Sequence, residues 1–302
     1  MRRIALAAVL TVVACAYTIS AEPPDLVVEG KREILYLHDL ANPKRWGPSE
    51  CTVQASKDLK AEGRPTIHVH MPVDHHGGEK KYPIGWPRMY LTLRKPGETQ
   101  WGEWERFEFF FYARMSRDKP PAQVATFHFQ CPDKHHATYH RFRKIELEKW
   151  LLIATPVGKI KDLDKLARLG FNIAESNYKD GDKLDFYLGG FRLTRSAEFA
   201  VRSLKFTNNA VFKGQPKLKV EIQVTGPPAK ISRGVPFTIR QGETVIRRET
   251  LPVKVGLQTM EIDISELKLA PGAYALIAFD GDKEREKRVE FRVVETPWRS
   301  NR

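Results

Sequence analysis

The chain has 302 residues, 41% hydrophobic and 29% charged, with 20 glycines and 20 prolines scattered without a period. That is a globular composition. It excludes a disordered or collagen-like chain, and a multispan membrane protein as well, because only the N-terminus is apolar for long. The formal net charge of +13 is spread along the chain, which suits solubility or anionic partners such as acidic polysaccharide, wall polymer or lipid headgroups.

Arg2 and Arg3 precede the apolar run from Ile4 to Ala14, no acid appears before Glu22, and small residues stand at Ser20-Ala21. This predicts a secretory signal over 1–21, cut after Ala21, and an exported protein: periplasmic, cell-surface or secreted. A second reading exists. Val12-Val13-Ala14-Cys15 is similar to a bacterial lipobox, in which Cys15 would carry lipid and the protein would meet the membrane there. Either way Cys51 and Cys131 remain, an even pair in an oxidising compartment, and a disulfide is expected; two buried thiols are the alternative. Export and diffuse charge argue against a nucleic-acid partner.

Strand patterns dominate the mature chain: Thr66–Met71, Met89–Leu93, Glu105–Met115, Val124–Cys131, Trp150–Ala154, Phe171–Glu175 and Leu184–Leu193. Turn chemistry such as Glu62-Gly63-Arg64-Pro65 and Lys179-Asp180-Gly181-Asp182 separates them. One short helix is predicted over Asp162–Leu169, from Leu163, Leu166 and Leu169 at helical spacing. Further on, Lys217 to Val224 alternates strictly, and Met260-Ile262-Ile264, Tyr274-Leu276-Ala278 and Val289-Phe291-Val293 repeat the pattern. Such alternation means one buried and one wet face, as in an antiparallel sandwich. An all-β fold is expected, with one domain over 22–203 and another over 204–302.

Alternation also sorts side chains between faces. Phe107, Phe109 and Phe111 share one face, which leaves Arg106, Tyr112 and Arg114 on the other. By the same rule Arg88 and Tyr90 oppose Met89 and Leu91, and His128 opposes Phe127 and Phe129. If these strands adjoin in one sheet, they form a single wall of aromatic, Arg and His groups. Rings stack on the apolar faces of sugars, and Arg and His hydrogen-bond hydroxyls or pair with carboxylates. Trp86, Trp101 and Trp104, beside loops or at a strand start, add candidate stacking groups; core or loop-anchoring roles are the alternative. His68, His70, Asp74 and His75 form the best metal-like spacing, with a polar strand and loop as the plainer reading.

Several segments carry a family resemblance. Glu62 to Val69, Trp104 to Met115, Glu148 to Ile153, Phe171 to Ile173 and Phe186 to Leu193 together resemble a galactose-binding-like jelly roll, the fold of many carbohydrate-binding modules. Leu269-Ala270-Pro271-Gly272-Ala273-Tyr274 is similar to the turn before a late strand of immunoglobulin-like or fibronectin-like domains. The resemblance implies a jelly roll followed by an immunoglobulin-like domain, in an exported, non-catalytic protein that binds polysaccharide or docks on the cell envelope. Such jelly rolls often hold a structural calcium through an Asp in the closing strand. Gly189-Gly190 stands there instead, so no cofactor is expected and Asp180, Asp182 and Asp185 read as turn formers. Two alternatives remain. One is an envelope protein without a glycan ligand. The other is a jelly-roll polysaccharide lyase using Tyr112, His128 and Arg106 as base, acid and charge neutraliser.

Overall fold

Alternating apolar residues organise the chain into antiparallel sheets, seen in a computed structural model that describes residues 26–77, 84–94, 96–99, 101–131, 137–208 and 210–295. The signal segment 1–21 and Cys15 lie outside the described residues. The first twelve strands are β1 (Leu26–Glu29), β2 (Arg32–Tyr36), β3 (Trp46–Ser49), β4 (Thr52–Ala55), β5 (Thr66–Pro72), β6 (Arg88–Thr92), β7 (Arg106–Met115), β8 (Gln123–Gln130), β9 (Ala137–Arg143), β10 (Leu151–Pro156), β11 (Arg168–Asn172) and β12 (Lys183–Ser196).

They form two sheets. In the seven-stranded sheet the long β12 is the axis. β7 runs along one of its edges, and β5 and then β2 occupy the other. β10, β4 and β1 extend the sheet beyond β7, β5 and β2. The change of neighbour from β5 to β2 falls at Gly189-Gly190, where the β12 register shifts against β7. A Cβ on Gly189 would lie 2.7 Å from Pro65 O, and Gly190 has φ +60°, so this crossing requires glycine. The second sheet runs β3-β6-β11-β8-β9.

The inward faces meet in an aromatic core. Phe107, Phe109, Phe111, Phe127, Phe129, Phe171 and Phe186 are all buried. Phe109 sits 4.7 Å from Phe127, and Phe111 sits 4.2 Å from Phe142. The sidedness read from alternation holds in β6, β7 and β8. The helix expected over Asp162–Leu169 does not form. Leu163–Lys165 makes one 3-10 turn, and Leu169 is already in β11, facing the core between Leu91 and Phe129. Three leucines at helical spacing served a turn and an inward strand position equally well.

The expected disulfide is absent. Cys51 Sγ lies 3.3 Å from Arg88 O, whereas Cys131 Sγ lies 3.3 Å from Asp162 O. Arg88 is level with Thr126 through Asn172 of β11, and Cys131 comes five residues further along that strand line. That is roughly 17 Å at strand rise, well beyond disulfide reach.

A second buried cluster runs from Val201 to Val293. Its strands are β13 (Ala200–Phe206), β14 (Ala210–Phe212), β15 (Lys217–Thr225), β16 (Val235–Gln241), β17 (Thr244–Leu251), β18 (Gly256–Asp263), β19 (Gly272–Ala278) and β20 (Lys287–Val294). They make a β13-β15-β18 sheet facing a β14-β20-β19-β16-β17 sheet, with β14 parallel to β20. As expected from the alternation, Leu218, Val220, Ile222 and Val224 are buried.

The outer side of the seven-stranded sheet is held by ion pairs. Glu108 is 1% exposed and accepts from Arg192 Nε (3.0 Å), Arg32 Nη2 (2.8 Å) and Thr194 Oγ1 (3.2 Å). Arg192, also buried, donates its remaining fork to Glu62 at 2.8 Å. Removing one partner of such a network strands the others in low dielectric. Glu108→Ala should therefore cost about 3–5 kcal/mol in urea unfolding. Glu261→Ala, which breaks an exposed pair with Lys217, should leave the unfolding midpoint nearly unchanged.

Candidate functional site

The anticipated single wall divides into two. Arg106, Tyr112 and Arg114 stand on the outer side of β7 in the seven-stranded sheet. Arg88, Tyr90 and His128 stand on the outer side of β6 and β8 in the five-stranded sheet. The phenylalanine core lies between, so the two groups face opposite ways. The Tyr112, His128 and Arg106 set proposed for lyase chemistry is thereby taken apart.

On the seven-stranded side the aromatic groups are closed over. Tyr112 and Tyr187 are buried, their rings 5.7 Å apart. His68 stacks on Tyr187 at 4.6 Å, and Trp150 covers Tyr112 at 5.3 Å. Arg114 leans over Tyr112 and lies 3.4 Å from Asp58. His68 Nε2 and His70 Nδ1 both contact Asp185 Oδ1, at 2.7 and 2.9 Å. Partial burial alone would raise the Asp185 carboxyl, but these two hydrogen bonds outweigh it and hold it below its ordinary range. Asp74 and His75 do not join this cluster. The His75 amide donates to Asp180 and the Asp74 amide to Glu175. The metal-like spacing is thus split between a strand and a loop.

The tryptophans separate as well. Trp101 is a core residue with no exposure, stacked on Phe107 at 4.7 Å. Trp104 is 9% exposed beneath the Arg195 guanidinium, which lies 4.3 Å from its ring. Of these three, Trp86 alone is open, at 53% exposure, with the Arg88 guanidinium 5.5 Å from its ring.

The five-stranded sheet presents a different surface. One cross-strand row reads Gly47, Tyr90, Gly170, His128 and Tyr139, each directly opposite the next. The glycine in β11 makes the row work. A Cβ on Gly170 would lie 2.0 Å from His128 Nε2, so the tip of the imidazole occupies the space over bare backbone. His128 is wedged between Tyr90 (5.4 Å) and Tyr139 (5.8 Å). It is 5% exposed and its Nδ1 has no hydrogen-bond partner among the described residues, so it supports the tyrosines more than it offers a donor. Tyr139 is 55% exposed. Three inter-strand gaps separate Tyr90 from Tyr139, about 14 Å of sheet and room for more than one sugar ring.

Arginines flank this row. The Arg168 guanidinium lies 5.2 Å from the Tyr90 ring and that of Arg141 lies 6.0 Å from Tyr139. Beside Tyr90 a cleft of about 510 Å³ is lined by Lys44, Arg45, Gly47, Thr92, Arg94 and Arg168. Arg45 is tied to the buried Glu98 carboxylate and to Thr92 O, which fixes the cleft wall. Sequence reading missed Tyr139, Arg141 and Arg168. β9 buries only Phe142 deeply, and its remaining residues show no apolar alternation. The one available signal was the aromatic and basic content of Tyr139-His140-Arg141-Phe142-Arg143.

No protein-family model matches this chain, and no curated protein matches it. Among solved structures, a tandem pair of carbohydrate-binding modules from Paenibacillus barcinonensis is similar at 12% identity and TM-score 0.34, covering 93% of this chain and 92% of that one. A carbohydrate-binding module specific for non-crystalline cellulose is similar at 13% identity and TM-score 0.33, over 50% of this chain and 87% of the module. An exo-β-agarase is similar at 9% identity and TM-score 0.37, over 52% of this chain; the match spans 24% of the agarase's own length.

Burial pushes the His128 pKa down to about 4; a hydrogen bond with Asn172 opposes this and the Arg168 charge adds to it. The imidazole is therefore neutral in the folded protein at neutral pH. Below pH 6.5, its ordinary value, the unfolded chain binds a proton that the native state refuses, so stability falls as pH drops toward 4. Wild type should lose on the order of 3 kcal/mol relative to His128→Gln between neutral pH and pH near 4. Urea unfolding of both proteins across that range checks it. A pH-independent difference between them would show that His128 does not titrate this way.

Proposed function

We propose that the chain is an exported, non-catalytic carbohydrate-binding protein whose ligand lies along the Tyr90–His128–Tyr139 row. The supporting observation is the row itself: two tyrosines on one outward face, with His128 seated over Gly170 between them and Gly47 on the far side of Tyr90. Gly47 leaves no side chain to block a sugar ring beside Tyr90. Stacking of sugar C–H faces on the tyrosines supplies apolar contact, and Arg88, Arg168 and Gln130 supply hydrogen bonds from the adjoining outward positions. Preorganisation favours binding here, since the His128 wedge limits the rotamer freedom lost when ligand arrives.

In this reading a jelly-roll unit is followed by an immunoglobulin-like unit that serves as spacer or interaction module, with the boundary before Val201, which packs in the second cluster, instead of at the expected 203/204. The three-on-five strand arrangement supports the second assignment. So does Tyr274 near the start of β19, whose hydroxyl donates to Ala270 O four residues upstream at 2.8 Å, the tyrosine-corner contact of such domains.

Affinity electrophoresis through gels carrying neutral and acidic polysaccharides tests the binding role. Tyr139→Ala and Tyr90→Ala should each weaken retention about tenfold, the usual scale for a central aromatic contact. Arg106→Ala and Arg114→Ala, on the opposite face, should retain as wild type does. Loss of retention only in the second pair would move the site to the seven-stranded sheet. No retention of folded wild type on any polysaccharide would favour an envelope protein without a glycan ligand.

A further inference from the structure

The five strands that carry the tyrosine row contain four arginines, Arg88, Arg141, Arg143 and Arg168, and no Asp or Glu at all. The opposite sheet is built otherwise. There Arg192, Arg195, Arg32 and Arg114 each reach a carboxylate, on Glu108, Glu33, Glu108 and Asp58. On the tyrosine face Arg88, Arg141 and Arg168 lean on aromatic rings instead. Lys44 and Arg94 add two exposed cations at the cleft beside Tyr90. Among the described residues no carboxylate lies within ion-pair distance of Lys44, Arg94 or Arg168. Arg45, whose cleft position is fixed by Glu98, is already neutralised.

Gathering like charges on one sheet raises the energy of the folded protein, and a ligand of opposite sign relieves it. We infer that the ligand of this face is an acidic polysaccharide whose ring carboxylates are read by Arg168 with Arg94 and Lys44, while Tyr90 and Tyr139 stack on its sugar rings. This rests on the carbohydrate-binding reading above and names its substrate class. The guanidinium fork can take both oxygens of a uronate carboxylate in two parallel hydrogen bonds. The charges sit at the edge of the stacking row, so one polymer can meet both.

Wild type, Tyr139→Ala, Arg168→Ala and the Arg94→Ala/Lys44→Ala double variant would be run on polygalacturonate, alginate, carrageenan, agarose and soluble cellulose gels. Retention should be stronger on the two uronate polymers and fall more than about tenfold between about 50 mM and about 500 mM NaCl, as screening shortens the Debye length from above 10 Å toward 4 Å. Arg168→Ala and the double variant should each lose about tenfold on uronates, roughly one charge-assisted contact; the double variant should leave weak retention on neutral gels unchanged, while Arg168→Ala, which also gives up a hydrogen bond to sugar hydroxyls, should lose less there than on uronates. Arg168→Lys, which keeps charge without the fork, should recover only part of that loss. Equal, salt-insensitive and Tyr139-dependent retention on neutral gels would overturn the charge assignment while the binding role survives. Stronger retention on carrageenan than on uronates would overturn the carboxylate assignment. No retention on any gel would remove both.

Discussion

The first sandwich depends on a sheet of phenylalanine rings clamped between two β-layers. Phe107, Phe109 and Phe111 from one side interlock with Phe127, Phe129, Phe142 and Phe171 from the other. Each such buried ring contributes roughly 1.5–3 kcal/mol of apolar transfer, and a core this dense holds its sheets about 10 Å apart. Everything polar is thereby driven onto two outward faces that cannot see one another. Any ligand must choose one of them.

The two faces solve the problem of charge differently. The seven-stranded sheet pairs Arg32, Arg114, Arg192 and Arg195 with acids and hides the central pair: Glu108 and Arg192 are both almost fully buried. Its aromatics are likewise roofed by His68, Trp150 and Arg114. The five-stranded sheet keeps its arginines against rings, a contact worth only about 0.5–1 kcal/mol at exposed positions. Such a contact orients a guanidinium without neutralising it. One face is therefore consumed by its own interactions, and the other retains unspent hydrogen-bonding and Coulombic capacity.

Glycine placement sharpens the difference. At Gly189-Gly190 the missing side chains let β12 pass close to Pro65 and Thr66 while it changes neighbours, a purely architectural use. At Gly170 the missing side chain makes a bed for His128, and through His128 it sets the separation of Tyr90 and Tyr139. The desolvated, neutral imidazole is the consequence of that seat.

The all-β class, the positions of the strongly alternating strands and the inward side of those strands were legible in the residues alone. Those are local properties: a period of two is written into neighbouring residues, and the burial of Phe107, Met89 or Ile222 follows from it. Edge strands such as β9 escaped, because a strand with one deeply buried residue shows no period. Which strands share a sheet was settled by folding alone. β7 pairs with β12, some 80 residues away, while β6 and β8 both pair with β11, and so Arg106 and Tyr112 part from Tyr90 and His128. Backbone hydrogen bonds that choose partners are the same for every residue type, so the choice is made by packing of the whole core and leaves little trace in any one segment.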